Sequence, residues 1–352
     1  MSPPITPPPR PPPTFILGRQ ILAGSLAASF TAALFNPLEV CKTRLQVQHT
    51  LPPHLRPAGR LPYNEGFLRG MRKIARDDGV RRFWGHGLSS FVARDFVYSG
   101  IRMGLYTSLR NQLGGGGEAQ AQSQAQEQSQ SHSQSQPHSQ PQPQPQSADA
   151  GLAAKIAAGM TTGAVGSLVA NPLDVARVRT MAEGGRVGAD GRLTTGMFVG
   201  ERARYSGGLV STMVTTGREE GLVRGLYRGA GASMARAALL SSGQLASYDH
   251  SKVIMREHLG MEEGAPMHTT AAIISGFVAA TVCNPADVLK SRVMVSQGGV
   301  GPWAIAVDIA RTEGVRGFFR GWLPAYSRHG PAFFVQMPIV ERLRTWLGVD
   351  NI

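Results

Sequence analysis

Three stretches of this chain repeat one arrangement of proline, acid and base. They are Asn36-Pro37-Leu38-Glu39-Val40-Cys41-Lys42-Thr43-Arg44, Asn171-Pro172-Leu173-Asp174-Val175-Ala176-Arg177-Val178-Arg179 and Asn284-Pro285-Ala286-Asp287-Val288-Leu289-Lys290-Ser291-Arg292. The acid two residues after the proline and the base five after it lie three apart, on one face of a helix. Under threefold symmetry the acid of one unit can meet the base of the next. Glu39, Asp174 and Asp287 with Lys42, Arg177 and Lys290 can then close a ring of ion pairs. A second charged set recurs later in each unit, Asp249 and Glu341 with Arg110, Lys252 and Arg344, and Thr107 stands where the first unit's acid would be. Between the two sets fall Arg94, Arg236 and Arg328, which lie 15, 15 and 14 residues past the glycines of Asp78-Gly79, Glu220-Gly221 and Glu313-Gly314. A guanidinium is always charged and holds a carboxylate through a two-pronged fork. Three of them around one hollow favour a small dianion. Eight residues after each arginine comes another polar residue, Arg102, Gln244 or Gln336.

Each proline motif ends a segment without formal charge: residues 20–38, 156–173 and 264–286. A helix rises about 1.5 Å per residue, so roughly 20 apolar residues cross the hydrocarbon layer. Gly24 and Ala28, Gly159 and Gly163, and Ala272 and Gly276 are spaced by four, which permits close helix contact in lipid. Proline at the end of such a helix kinks it. The partner helices are less apolar, with an arginine near mid-membrane in each, and an arginine there must face protein or water. Short amphipathic segments, such as Asn64–Arg76 and Trp303–Thr312, connect the helices of a unit. An aromatic-glycine phrase follows each (Phe83-Trp84-Gly85, Leu226-Tyr227-Arg228-Gly229, Phe318-Phe319-Arg320-Gly321). The basic cluster Arg69, Arg72, Lys73, Arg76, Arg81 and Arg82 places these connections in the interior compartment. Recurrence of this kind means a symmetric array of one supersecondary unit.

Composition agrees. The chain has 352 residues and a formal net charge of +13, which points to anionic partners or a membrane surface. Two cysteines exclude a disulfide scaffold and a cysteine-rich zinc site. The Pro-rich residues 1–14 show neither a secretory signal nor a cleavable presequence, and the Gln/Ser-rich stretch 113–149 is expected to be a disordered loop. No phosphate-binding glycine loop or metal-ligand spacing points to an enzyme, and neither a metal nor a cofactor is expected. No nucleic-acid recognition signature is present either, so a basic nucleic-acid-binding protein is the remote reading.

The triplicated motif resembles the signature of the mitochondrial carrier family, closest to its dicarboxylate/oxoglutarate and uncoupling-protein group. The resemblance covers roughly residues 15–112 and 150–347. It implies an all-α membrane protein of six transmembrane helices in three pseudo-symmetric repeats (15–112, 150–258 and 264–347), with short amphipathic helices in the matrix. It further implies a monomer in the mitochondrial inner membrane with both termini in the intermembrane space, cardiolipin as a lipid partner, and solute exchange by alternating access. Tyr98–Tyr106, Met234–Leu239 with Gly243–Tyr248, and Leu323–Pro331 are similar to the second, fourth and sixth helices of that group. Its substrate contacts then fall on Arg94, Arg236 and Arg328, with Arg102, Gln244 and Tyr98 nearby. The ring around Glu39 becomes a matrix gate braced by Gln46, and the ring around Asp249 a cytoplasmic gate. Three departures stand out: Asp95 in place of a glutamine, Thr107 in place of an acid, and Met181 and Met294 where a bracing glutamine can occur. The expected activity is exchange of small dicarboxylates or oxo-dicarboxylates, with a proton-leaking, uncoupling-type carrier as the rival.

Overall fold

A computed structural model describes residues 13–51, 62–63, 66–113, 145–261, 265–296 and 300–327, with helical pieces at 339, 342–343 and 345–346. In the first repeat, α1 (Pro13–Leu34) breaks into α2 (Asn36–Val47), followed by α3 (Phe67–Asp78), α4 (Val80–Gly85) and α5 (Leu88–Leu113). The second runs through α6 (Pro145–Val169), α7 (Asn171–Glu183), α8 (Gly208–Glu220), α9 (Leu222–Leu226) and α10 (Ala230–Leu259). In the third, α11 (Ala265–Val295) leads to α12 (Pro302–Thr312), a 3₁₀ turn at Val315–Phe319, and a helical segment at 322–327. Among the described residues, the only pairing of extended backbone is two isolated bridges, Val187 with Leu193 and Arg192 with Arg202.

The proline acts differently in the three repeats. In the first two it occupies the opening turn of α2 and α7, where a missing N–H costs nothing because the first helical donors have no partner anyway. The axis bends by 65° between α1 and α2. In the third repeat, Pro285 lies inside an unbroken α11. The helices also start earlier than their sequence limits: α1 begins at Pro13 and α6 at Pro145, inside the stretch read as a loop. The rest of that stretch, 114–144, lies outside the described residues.

Long helices pack side by side in the order α1, α5, α6, α10, α11, and the lower pieces α2, α7 and α11 touch one another. The outward side is apolar, with Leu22, Leu26 and Phe30 along α1 and Ile273 and Phe277 on α11. The inward side is small or polar: Ser25, Ser29, Thr162, Ser167, Ser241 and Ser275 are buried. This inversion of a soluble protein's pattern is what a lipid-facing bundle requires. By apolar length alone one helix among the described residues qualifies as a span, or two counting the bent α1–α2 pair, because polar groups along the inner face dilute the rest.

Gly159 and Gly163 bring α6 against Ser241 and Ala237 of α10, as their spacing predicts. Ala272 and Gly276 do not make such a contact. Ala272 is exposed and a side chain at Gly276 would meet nothing within 4 Å; instead Gly243 of α10 lies against Ala279. The spacing was right for α11, but the packed face is the one next to it.

The glycine that opens each even helix has a positive φ: Gly87 (67°), Gly229 (73°) and Gly321 (76°). In the first repeat this glycine is Gly87, two residues beyond the Gly85 of the sequence alignment. An added Cβ would meet Met181 at 2.8 Å, Met294 at 3.3 Å and Gln46 at 3.1 Å respectively. We therefore expect Gly87→Ala to cost about 2 kcal/mol or more, from the left-handed backbone and the overlap together. Thermal unfolding in detergent should rank the alanine variants Gly87, Gly321, Gly229 from most to least damaging; equal melting points would contradict the packing.

Candidate functional site

The six motif charges meet around the axis of α2, α7 and α11. Lys42 Nζ donates to Asp287 at 2.7 Å, Lys290 Nζ donates to Asp174 at 2.7 Å, and Arg177 lies 3.8 Å from Glu39. Each base thus reaches the acid of another repeat, and the circuit closes. Each of these carboxylates is almost fully buried, so attraction must offset a large desolvation cost.

Arg94 on α5 and Arg236 on α10 also reach acids of the ring. Arg94 Nε donates to Asp174 at 3.2 Å, and its Nη1 reaches Asp95 at 2.6 Å. Its guanidinium lies 4.3 Å from the centre of the Tyr98 ring, a cation–π contact. Arg236 Nε donates to Asp287. Both arginines are buried. Arg102 and Gln244, half-buried, follow on the same two helices. Arg328 lies outside the described residues, as do Glu341 and Arg344 and the side chains of Thr107 and Arg110. Asp249 and Lys252 are half-buried toward the far end of α10.

A third layer, below the ring, was not anticipated from sequence. The last base of each motif crosses to the next repeat and to the acid of its own acid-glycine turn. Arg44 pairs with Asp78 at 2.7 Å and donates to the Met181 carbonyl; Arg179 pairs with Glu220 at 2.8 Å and donates to the Met294 carbonyl. Arg292 pairs with Glu313 and donates to the Gln46 carbonyl. Burial opposes ionisation of Glu220 and Glu313, but the hydrogen bonds from Arg179 and Arg292 outweigh it, so both carboxyls sit below their usual range. Each motif asparagine, Asn36, Asn171 or Asn284, donates to the carbonyl of Trp84, Leu226 or Phe318. These bonds align Trp84-Gly85-His86-Gly87 with Leu226-Tyr227-Arg228-Gly229 and Phe318-Phe319-Arg320-Gly321. The spacing of eight or nine residues from each acid to the glycine was the available sequence signal.

In that register His86 stands where the other repeats have arginine. Arg228 and Arg320 lie 2.9 and 2.8 Å from Glu220 and Glu313, whereas His86 Nε2 is 3.9 Å from Asp78. The place of the missing cation is partly taken by residues 184–207 of the second repeat, where Thr195 donates to Asp78 at 2.7 Å and Arg186 to the Asp78 carbonyl. The bracing position is likewise uneven. Gln46 accepts from Ser291 and donates to the Arg320 carbonyl, while Met181 and Met294 fill their equivalent positions with fully buried apolar bulk.

Removing one partner of a fully buried pair typically costs about 3–5 kcal/mol, so Arg44→Ala should lower the unfolding temperature far more than exposed-surface Asp190→Asn. A loss no larger than that of Asp190→Asn would deny the third layer its role. For His86, burial and the neighbouring Arg44 charge hold the imidazole's pKa down to about 4, against the pull of Asp78. The unfolded chain takes up a proton near pH 6.5 that the folded chain refuses, so stability falls as pH drops from 6.5 toward 4. His86→Gln should flatten that slope in pH-dependent melting curves.

Comparison with known proteins agrees with the threefold build. The family description "Mitochondrial carrier protein" matches residues 15–116, 148–259 and 262–351. Mitochondrial uncoupling protein 1 of Arabidopsis thaliana is 30% identical over 334 residues, covering 94% of each chain. Mitochondrial uncoupling protein 5 of the same plant is 31% identical, covering 91% of this chain and 95% of its own. Mitochondrial citrate transporter F of Aspergillus niger is 32% identical over 312 residues, 88% of this chain and 83% of its own. Three matched repeats, and relatives aligned along nearly their whole length, show that the chain belongs to the mitochondrial carrier family, whose members are transporters.

Proposed function

We propose that this chain exchanges small carboxylate anions, dicarboxylates or oxo-dicarboxylates, across the mitochondrial inner membrane by alternating access. The observation that carries this reading is the pairing of Arg94 with Asp174 and of Arg236 with Asp287. Two buried guanidiniums, on α5 and α10, already bind carboxylates of the ring, which is the chemistry a carboxylate substrate needs. A substrate entering from the side opposite α3, α8 and α12 competes with Asp174 and Asp287 for these donors. Drawing the arginines away removes part of what compensates the ring carboxylates, so the ring loosens and the hollow opens toward the short helices. The ring around Glu39 is then the matrix gate, and Asp249 and Lys252, with Arg110, Glu341 and Arg344, form the opposite one. The hollow is a binding path, not a catalytic centre; the chain works as a monomer with its termini in the intermembrane space and with cardiolipin among its lipids.

The uncoupling proteins among the relatives support a second reading, a carrier that dissipates a proton gradient with the same arginines. Reconstituted liposomes separate the two. Counter-exchange of labelled malate, oxoglutarate or citrate supports the first; fatty-acid-stimulated proton flux without exchange supports the second.

Under the exchange reading, Arg236→Ala lowers the rate about 100-fold, because it removes a charge-assisted contact worth about 3 kcal/mol, while insertion into the membrane is retained. Wild-type exchange in that variant would remove Arg236 from the site.

A further inference from the structure

Arg94 and Arg236 occupy equivalent places, yet they are not equally occupied. Arg236 is followed by Ala237, and its ion pair is with Asp287 of the ring. Arg94 is followed by Asp95, and the two side chains meet at 2.6 Å through Nη1. With Nε on Asp174 and its face over Tyr98, Arg94 is held on three sides, and one of those partners is a carboxylate that is not part of the ring. Asp95 is not sealed off, since its side chain keeps 15% of its exposure, about twice that of Arg94. It therefore remains partly accessible while occupying a guanidinium edge that a substrate carboxylate would need.

We propose that Asp95 is a specificity-determining residue: a built-in carboxylate that occupies part of the Arg94 fork and so sets how much negative charge the cavity accepts. The inference rests on the anion-exchange reading. The charge balance gives its direction. Among the described residues at this level, Lys42, Arg94, Arg177, Arg236 and Lys290 supply five positive charges, and Glu39, Asp95, Asp174 and Asp287 supply four negative ones. Asp95 thus lowers the net charge from +2 to +1 and leaves Arg236 as the more available of the two hooks. Such a site favours an anion with few charges that uses one strong fork, and it disfavours a third carboxylate through repulsion from Asp95. Neutralising Asp95 frees Nη1 and removes that repulsion, which shifts preference toward tricarboxylates.

The test is counter-exchange in liposomes at fixed pH with pyruvate, malate and citrate as probes, comparing wild type with Asp95→Asn, Asp95→Ser and Asp95→Glu. Both neutral variants should raise the citrate-to-malate rate ratio about tenfold or more, the scale of one nearby unit charge in a partly screened site, and Asp95→Glu should keep the wild-type ratio. Two neutral side chains of different size guard against one variant failing to fold, and a ratio is insensitive to how much protein inserts. If wild type exchanges these anions and the ratio stays unchanged in the neutral variants, the role of Asp95 is overturned and the transport reading stands. If wild type exchanges none of them, both fall together.

Discussion

A charge taken out of water must meet an opposite charge nearby, and nearly everything else in this fold follows from that requirement. Isolated, each buried carboxylate of the central ring would be prohibitively costly. Asp174 is tolerable because Lys290, Arg94 and Arg177 surround it, and Asp287 because Lys42 and Arg236 do. Four of these partners come from other repeats than the acid they serve. The ring therefore cannot form inside one repeat, and the three helix pairs are held together by the need of each for its neighbour's charge. The net energy of such pairs is the small difference between attraction and desolvation, which is what the exchange reading requires of a gate.

Beneath the ring the same rule recurs with a different emphasis. Arg44, Arg179 and Arg292 each bind a carboxylate of their own repeat and a backbone carbonyl of the next one. A carbonyl cannot be exchanged for a substrate group, and these contacts lie away from the hollow. Around them gather the apolar side chains of Val40, Ile74, Phe83, Phe91 and Met181. On the outer face of α1, Leu22, Leu26 and Phe30 instead meet whatever apolar medium surrounds the bundle. The cross-repeat contacts of Arg44, Arg179 and Arg292 thus gather at the short-helix end.

Much of this was legible because the chain says the same thing three times. One copy of Pro-x-acid-x-x-base would mean little; three copies at matching distances imposed the threefold axis, and the axis alone paired Lys42 with Asp287 and Lys290 with Asp174. The third layer escaped notice because Arg44 and Asp78 lie 34 positions apart, and only folding α2 back on α3 brings them together. The misplaced glycine had a similar cause: Gly85 looked right beside its aromatic neighbours, but the Asn36 hydrogen bonds and the positive φ select Gly87. Ala272 and Gly276 misled because a spacing of four exists on every face of a helix, and only packing chooses among them. The loop from 184 to 207 holds no part of the repeated motif, so symmetry could not reveal its contact with Asp78.

That loop breaks the equality of the three seams. It runs from the second repeat over the first, buries Met197 there, and fastens through Thr195 to the one acid whose cation has become a histidine. The joint between the first and second repeats is therefore fastened by this loop as well as by the charge layers. Any parting of the bundle at this end has to stretch or carry along that clasp, so the first two repeats are tethered to one another there.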